Sequence, residues 1–481
     1  MRRYVAFDLG AESGRALLAT LEKDALAIQE LHRFPNEPVS AGGAMHWDIL
    51  RLWHEMKRGL ALAPEIDSVG VDTWGVDFAL LDDAGALMQN PIHYRDPRTD
   101  GVPERVFEIV SPDEIYENTG VQFMQINTLF QMYALVRKHP DLVRAARHFL
   151  TIPDLLNYWL TGQITCEYTN ATTTQMFDTR ARDWARPMLA KLGIPTLCLE
   201  PVVEPGTVIG ALRPELGRAQ VVAPACHDTG SAVAAIEASG STAFISSGTW
   251  SLMGTEAPAP VVTPEARSYN FTNEGGVGGT TRVLKNIMGM WLLQACRKQW
   301  QTVDYASIVA MAKTEPDLLS LVDPDDASFL HPQDMCAAIR EFCAGTQQPV
   351  PETQAAYVQT IFESLALKYR YVLESLSNVT GRKYRRIRVV GGGARNRVLN
   401  QYLADATGCR VFAGPVEATA LGNVVMQLVA TGVVPSIAAG REIVARSFPP
   451  DVFEPRDSSA WDKAYPRFVH FVETATSAHR A

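Results

Sequence analysis

The residues of this chain that could do chemistry sit in glycine-rich turns and at the ends of apolar runs. Asp8 follows the run Tyr4-Val5-Ala6-Phe7 and precedes Gly10-Ala11-Glu12-Ser13-Gly14-Arg15. A Gly/Ser turn between two strands exposes successive backbone N–H groups, and such a nest binds phosphate oxygens without a lysine. Ser13 would add a hydroxyl and Arg15 a charge, while a carboxylate at Asp8 suits a hydrated Mg²⁺. The same spelling returns in mid-chain, where Thr242-Ala243-Phe244-Ile245 leads into Ser246-Ser247-Gly248-Thr249 and then Trp250-Ser251-Leu252-Met253. Either copy alone reads first as an ordinary β-hairpin; two copies half a chain apart bring the phosphate cradle level with that reading.

Three further features carry chemistry. Val389-Val390-Gly391-Gly392-Gly393 runs from a strand into bare backbone before a helix, a place for a flat ligand or phosphate, or simply a strand-to-helix turn. In Ala225-Cys226-His227-Asp228-Thr229, Asp228 follows the apolar run 221–225 and precedes a small-residue helix. It reads as a helix N-cap or as a general base at the carboxyl end of a strand. In Val71-Asp72-Thr73-Trp74-Gly75-Val76-Asp77, an aromatic ring among acidic and small residues suits a sugar, or else is a buried tryptophan.

The elements that must position these residues alternate between strand and helix, which predicts α/β architecture. Strands are expected over 66–71, 78–81 and 387–390. Helical periodicity covers Ile126–Lys138, Pro153–Leu160, Trp184–Leu192, Ile287–Trp300 and Gln354–Leu376. The duplicated hairpin predicts two halves with a boundary near Gly240, giving domains 1–240 and 241–481. The longest uncharged stretch, between Glu417 and Gly440, holds Thr419, Asn423, Gln427 and Pro435 and predicts a buried helix followed by a turn, not a bilayer span.

Composition narrows the classes. The chain has 481 residues, 47% hydrophobic and 20% charged, with a net charge of −9. That excludes wholesale disorder and argues against nucleic acid or an anionic membrane as partner. Two arginines precede too few apolar residues for a signal-peptide core, and seven cysteines without a CxxC pair fit reduced thiols, so a cytoplasmic setting is expected. No glycine is followed by lysine and there is no GxGxxG, which excludes a Walker loop and the standard dinucleotide fingerprint.

The order of these blocks resembles the FGGY carbohydrate kinases. The residues that carry the resemblance are DLGAESGR at 8–15, VDTWGVDF at 71–78, EYTNATTTQ at 167–175, CHDT at 226–229, SSGTWSLMG at 246–254, TNEGG at 272–276, LKNIMGMWLLQ at 284–294, VVGGG at 389–393 and AGPVEATALGN at 413–423. The resemblance implies two ribonuclease-H-like domains of the actin, hexokinase and heat-shock ATPase superfamily around a deep cleft, with sugar mainly on the first and nucleotide mainly on the second. It implies Asp228 as catalytic base and Gly75, His227, Asp228 and Thr229 as sugar contacts. ATP would be held by Ala11, Glu12, Ser13, Gly14 and Arg15, and by Thr249, Asn286, Gln294 and Gly392, with Asp8 on the metal side through water. Glu12 departs from the family pattern, since a carboxylate there repels a triphosphate unless it faces Mg²⁺ or solvent. The activity implied is ATP- and Mg²⁺-dependent phosphorylation of a small ketose, L-rhamnulose at its 1-hydroxyl. L-Fuculose, D-xylulose or L-ribulose are the nearer alternatives, and a non-catalytic nucleotide switch the more distant one.

Overall fold

The computed structural model describes residues 1–300, 304–313, 316–330 and 332–478. The chain divides into two compact α/β units. The first contains 1–237, 256–283 and 418–448; the second contains 238–255, 284–417 and 449–481.

The first unit is built on a six-stranded sheet of β1 (Arg2–Leu9), β2 (Ser13–Glu22), β3 (Ala25–Pro35), β4 (Ser68–Thr73), β5 (Thr207–Ala211) and β6 (Gln220–Ala223), in the order β5-β6-β4-β1-β2-β3. β1 pairs antiparallel with β2 and parallel with β4, and β4 pairs parallel with β6. β1 is buried from Tyr4 to Leu9 and β4 along its whole length, as expected of central parallel strands covered on both faces. One face packs on the helix Ile49–Leu62, whose N-cap Asp48 accepts the amide of Arg51 at 3.1 Å and whose Ile49, Leu52 and Met56 turn inward.

The opposite face is closed by a helix from far along the chain. Ala418–Ala430 is the buried helix expected from the uncharged stretch, and it lies against β1 and β4. Its polar letters bond inward: Gln427 donates to the Val5 carbonyl at 3.0 Å and accepts from the Ser68 hydroxyl at 2.7 Å. A Cβ on Gly70 would stand 2.4 Å from Asn423 Oδ1, so this close approach of helix to strand needs glycine. A Cβ on Gly422 would stand 1.7 Å from the Ser231 carbonyl, so the helix Asp228–Ala234 is gripped in the same way.

The second unit repeats the topology. Its seven-stranded sheet is made of β7 (Thr242–Ser247), β8 (Ser251–Ala257), β9 (Thr281–Ile287), β10 (Arg386–Val390), β11 (Arg410–Ala413), β12 (Asp451–Phe453) and the short edge strand Thr272–Gly275, in the order β12-β11-β10-β7-β8-β9 with Thr272–Gly275 beside β9. β7 pairs antiparallel with β8 and parallel with β10, which is parallel to β11. The correspondence β1/β7, β2/β8, β4/β10 and β6/β11 accounts for the duplicated hairpin. The helix expected over Ile287–Trp300 begins only at Trp291, because Thr281–Ile287 is committed to the sheet and Gly289 turns the chain at φ +52°. The helix Gln354–Thr380 runs a turn beyond its expected end and stops at Gly381, φ +65°. Among the described residues no helix is long and apolar enough to cross a membrane, and all seven cysteines are buried and free of disulfides.

Candidate active site

Asp228 stands just past the β6 end and opens the helix Asp228–Ala234, whose N-cap is His227. Its side chain is 34% exposed. Oδ1 takes the adjacent amide of Thr229 at 2.5 Å and the Thr229 hydroxyl at 3.1 Å. The Ser231 amide goes to the His227 carbonyl, so the carboxylate does not cap the helix in the usual N2 or N3 manner. One oxygen is anchored beside Thr229, and the group still reaches solvent.

The turn that presents Asp228 hangs from EYTNATTTQ, a block whose role the residue types did not announce. Glu167 is buried and receives four donors: the Thr169 amide at 2.9 Å, the Thr169 hydroxyl at 2.7 Å, the Asn170 amide at 3.1 Å and the Cys226 amide at 3.1 Å. The Thr169 hydroxyl in turn accepts the His227 amide at 3.1 Å. Burial pushes the Glu167 pKa up to about 8, against the pull of the bonds from Thr169 and Asn170. Of the four partners, only the Thr169 hydroxyl can receive a proton from this carboxyl, since the others are N–H donors.

The same block holds the Gly75 loop. The Val76 amide donates to Thr173 Oγ1 at 3.1 Å, and a Cβ on Gly75 would stand 2.9 Å from that oxygen. Val76 sits at φ +67°, costly for a β-branched residue, and is held there by Thr128 Oγ1 donating to its carbonyl at 2.6 Å and Gln131 at 3.2 Å. The Thr73 amide donates to the Cys226 carbonyl at 2.9 Å. Gly75, His227, Asp228 and Thr229, expected as sugar contacts, are therefore joined through one buried hydrogen-bonded frame. Trp74 offers no face to a ligand: it is buried 4.1 Å from the Trp47 ring. Both indoles donate to Asp77 Oδ2, at 3.0 and 2.6 Å.

The first hairpin closes with the Gly10 amide on the Ser13 carbonyl at 3.0 Å, and Asn36 ties the loop down through Gly10 and Glu12. Ala11 and Ser13 are half-buried and Glu12 is exposed, which places its charge toward solvent. Arg15 pairs with Asp8. Asp8 lies in register beside Asp72, whose Oδ2 accepts from Asn423 at 2.6 Å while its buried Oδ1 has no hydrogen-bond partner. Burial, then the charges of Asp8 and Asp228, push Asp72 well above the ordinary carboxyl value, against the Asn423 bond. This surplus of carboxylates fits a divalent cation. Among the described residues no three His, Cys, Asp or Glu groups are close enough together to hold one directly.

In the second unit, Thr249 lies at the β7–β8 turn, and its carbonyl accepts the Trp291 amide at 2.9 Å, tying the turn to the helix Trp291–Trp300 that carries Gln294. Gly391–Gly393 pack on the same hairpin: a Cβ on Gly393 would stand 2.0 Å from Ser247 Oγ, whereas one on Gly392 would meet nothing within 4 Å. Gly392 is thus the open glycine of the three. Asn286 is half-buried on β9, followed by Met288, whose amide is held by Asp325 at 2.8 Å. Asp325 and Asp323 flank the buried Lys368 at 3.0 and 2.7 Å. The structure brings Thr249, Gln294 and the glycine turn together around one hairpin.

Comparison with known proteins gives the family. Residues 3–233 match the N-terminal domain, and residues 243–431 the C-terminal domain, of the FGGY family of carbohydrate kinases. A rhamnulokinase of Bacteroides thetaiotaomicron is 45% identical over 98% of this chain and 99% of its own. One from Pectobacterium atrosepticum is 42% identical over 99% and 98%. A ligand-bound xylulose kinase from Lactobacillus acidophilus superposes with a TM-score of 0.83 at 14% identity, covering 99% of each chain. The Plasmodium falciparum glycerol kinase with ADP gives 0.78 at 16% identity, covering 99% of this chain and 98% of that one. The two-unit α/β fold, its repeated hairpins and these full-length likenesses together make this chain a member of the FGGY family of carbohydrate kinases.

Proposed function

We propose that this kinase transfers the γ-phosphoryl group of ATP to the 1-hydroxyl of L-rhamnulose, giving L-rhamnulose 1-phosphate and ADP. The substrate is the one that the names of relatives at 42–45% identity carry. The observation that carries the mechanism is the half-exposed Asp228 carboxylate, presented by a buried frame and not spent on capping its helix.

In this reading the ketose lies against Gly75, His227 and Thr229, and Asp228 takes the proton of the attacking hydroxyl. A positioned base contributes ~10²–10⁴-fold. The transferred group passes through a loose transition state, so most of the remaining catalysis is orientation and charge stabilisation. Backbone amides from Ala11 to Arg15 and around Thr249 receive phosphate oxygens, while Asn286, Gln294 and Gly392 hold the nucleotide. Asp8 would hold a Mg²⁺ through water, and the ion so held would supply positive charge to the phosphates. The sugar side, the first phosphate loop and Asp228 fall within 1–240, and the rest of the nucleotide side within 241–481. A cytoplasmic setting accompanies the proposal, on seven buried thiols without a disulfide.

The test is a ketose panel with purified protein, ATP and Mg²⁺, read by coupled ADP release. L-Rhamnulose should give the highest kcat/KM, above L-fuculose, D-xylulose and L-ribulose. A higher value for any of the three reassigns the substrate. ADP release equal with and without sugar overturns the kinase reading.

A further inference from the structure

Behind Asp228 the first unit buries a cation that the phosphoryl-transfer account leaves without a task. Arg282 is 0% exposed. Its Nε donates to the Gly275 carbonyl at 2.8 Å, and its Nη2 donates to His227 Nδ1 at 3.2 Å. Glu274, on the short strand Thr272–Gly275, places Oε2 3.1 Å from Arg282 Nη1 and 3.3 Å from His227 Nδ1. On the other side of the ring, His227 Nε2 lies 3.4 Å from Asp228 Oδ1. The Glu274–Arg282 approach is an ionic contact without hydrogen-bond geometry, since neither Oε2 nor Nη1 has a hydrogen-bond partner.

A guanidinium has five donors and no acceptor, so a ring nitrogen bonded to it must offer a lone pair. Nδ1 then carries no proton, and in the neutral ring Nε2 does. At 3.4 Å, Nε2 is too far from Asp228 for a strong hydrogen bond and remains available to a third atom. Resting on the reading of Asp228 as the base, we propose that Arg282 and Glu274 are positioning residues that hold His227 as its neutral Nε2–H tautomer, donating to the ketose oxygen beside the hydroxyl that Asp228 deprotonates. Glu274 is needed because Arg282 alone would leave an unpaired buried charge. Burial pushes the Glu274 pKa up, but its neighbours, the Arg282 charge foremost, hold it below the ordinary value. The ring is thus backed by a pair of no net charge. Removing only Arg282 reverses the arrangement, because the remaining Glu274 carboxylate attracts a proton to Nδ1.

The test labels histidine with ¹⁵N in the full chain and assigns the His227 ring by its loss in His227→Gln. The wild-type ring should show an unprotonated Nδ1 and a protonated Nε2. Arg282→Met should move a proton to Nδ1 and lower kcat/KM for the ketose about tenfold or more, with the ATP KM unchanged. In Arg282→Met/Glu274→Gln, the amide can donate to Nδ1, so the Nε2–H ring and most of the lost kcat/KM should return. A protonated Nδ1 in the wild type overturns the proposal, as does an Arg282→Met protein whose ring or kcat/KM is unaltered. Should Arg282→Met fail to fold, Glu274→Gln decides: it must keep the Nε2–H ring. Because the ring is read without substrate, this failure is distinct from failure of the kinase reading, which shows in the ADP assay.

Discussion

The Glu167 carboxylate accepts the backbone amide of Cys226 at 3.1 Å, and through this bond a side chain distant in sequence sets where Asp228 begins its helix. The Thr169 hydroxyl, bonded to the same carboxylate at 2.7 Å, takes the next amide, that of His227. Two consecutive N–H groups before the proposed base are therefore fixed by one buried acid. In Glu167→Gln, the amide nitrogen turns a donor toward donors. The expected result is a loss of ~1–3 kcal/mol in urea denaturation and a fall in kcat with the ATP KM unchanged. A variant with wild-type stability and kcat removes this role from Glu167.

Asp228→Asn keeps the anchoring oxygen beside Thr229 but cannot accept the hydroxyl proton. It should fold, bind ATP as the wild type does, and lose ~10²–10⁴-fold in kcat. Calorimetric ATP binding together with steady-state ADP release checks both halves. A variant retaining more than about a tenth of wild-type kcat has another base.

The three glycines at 391–393 should respond differently to a methyl group. A Cβ at Gly393 meets Ser247 Oγ at 2.0 Å, while at Gly392 it meets nothing. Gly393→Ala should cost ~1–3 kcal/mol by overpacking. Gly392→Ala should stay within ~0.5 kcal/mol of wild type yet raise the KM for ATP and leave that for the ketose. Thermal melts and two-substrate kinetics separate these effects. Equal melting of the two variants would show that the hairpin does not press on this turn.

The return helix makes a stronger demand at Gly422, whose Cβ would stand 1.7 Å from the Ser231 carbonyl. That contact is backbone and cannot rotate away. Gly422→Ala should therefore separate the helix Ala418–Ala430 from the helix carrying Asp228, costing ~3 kcal/mol or more and most of kcat. An alanine variant with unchanged melting temperature and turnover would contradict this packing.

Stability should carry a pH signature from Asp77, which is buried beneath Trp47 and Trp74. Burial pushes its pKa from 3.8 to about 6, against the bonds from the two indoles and Gln131. Between these values the folded protein binds a proton that the unfolded chain has released. Asp77 therefore contributes stability at low pH that is lost as pH rises from about 4 to about 6, by up to about 3 kcal/mol at 1.36 kcal/mol per unit. His93, stacked on Trp47 and lowered by burial to about 4, acts in the opposite sense, losing stability as pH falls through the same range. Urea titrations of wild type and Asp77→Asn across pH 4–7 isolate the first effect as the wild-type stability minus that of the variant, a signed difference that should fall toward high pH. A difference that is flat or grows toward high pH contradicts a proton held by folded Asp77.

The two hairpins, the strand before Gly391 and the acidic corner at Asp228 were legible in the sequence because each is local. Apolar runs broken by Gly and Ser specify strand, turn and strand within about fifteen residues, and the order of such blocks along the chain placed it in its family. The helix ending at Gly381 and the buried helix after Glu417 were legible for the same reason. The start of the helix before Trp300 was not, since β9 and that helix share an apolar run and sheet pairing decides where one stops. Nor could spacing show that Trp74 turns inward onto Trp47 and Asp77, that Glu167 reaches Cys226, that Asn423 comes back to Asp72, or that Arg282 stands behind His227. Those relations join residues distant in the chain, and their strength depends on burial, which a residue's type does not carry. Chain-local pattern determined which groups could react; long-range packing decided which of them are held, screened and left exposed to a substrate.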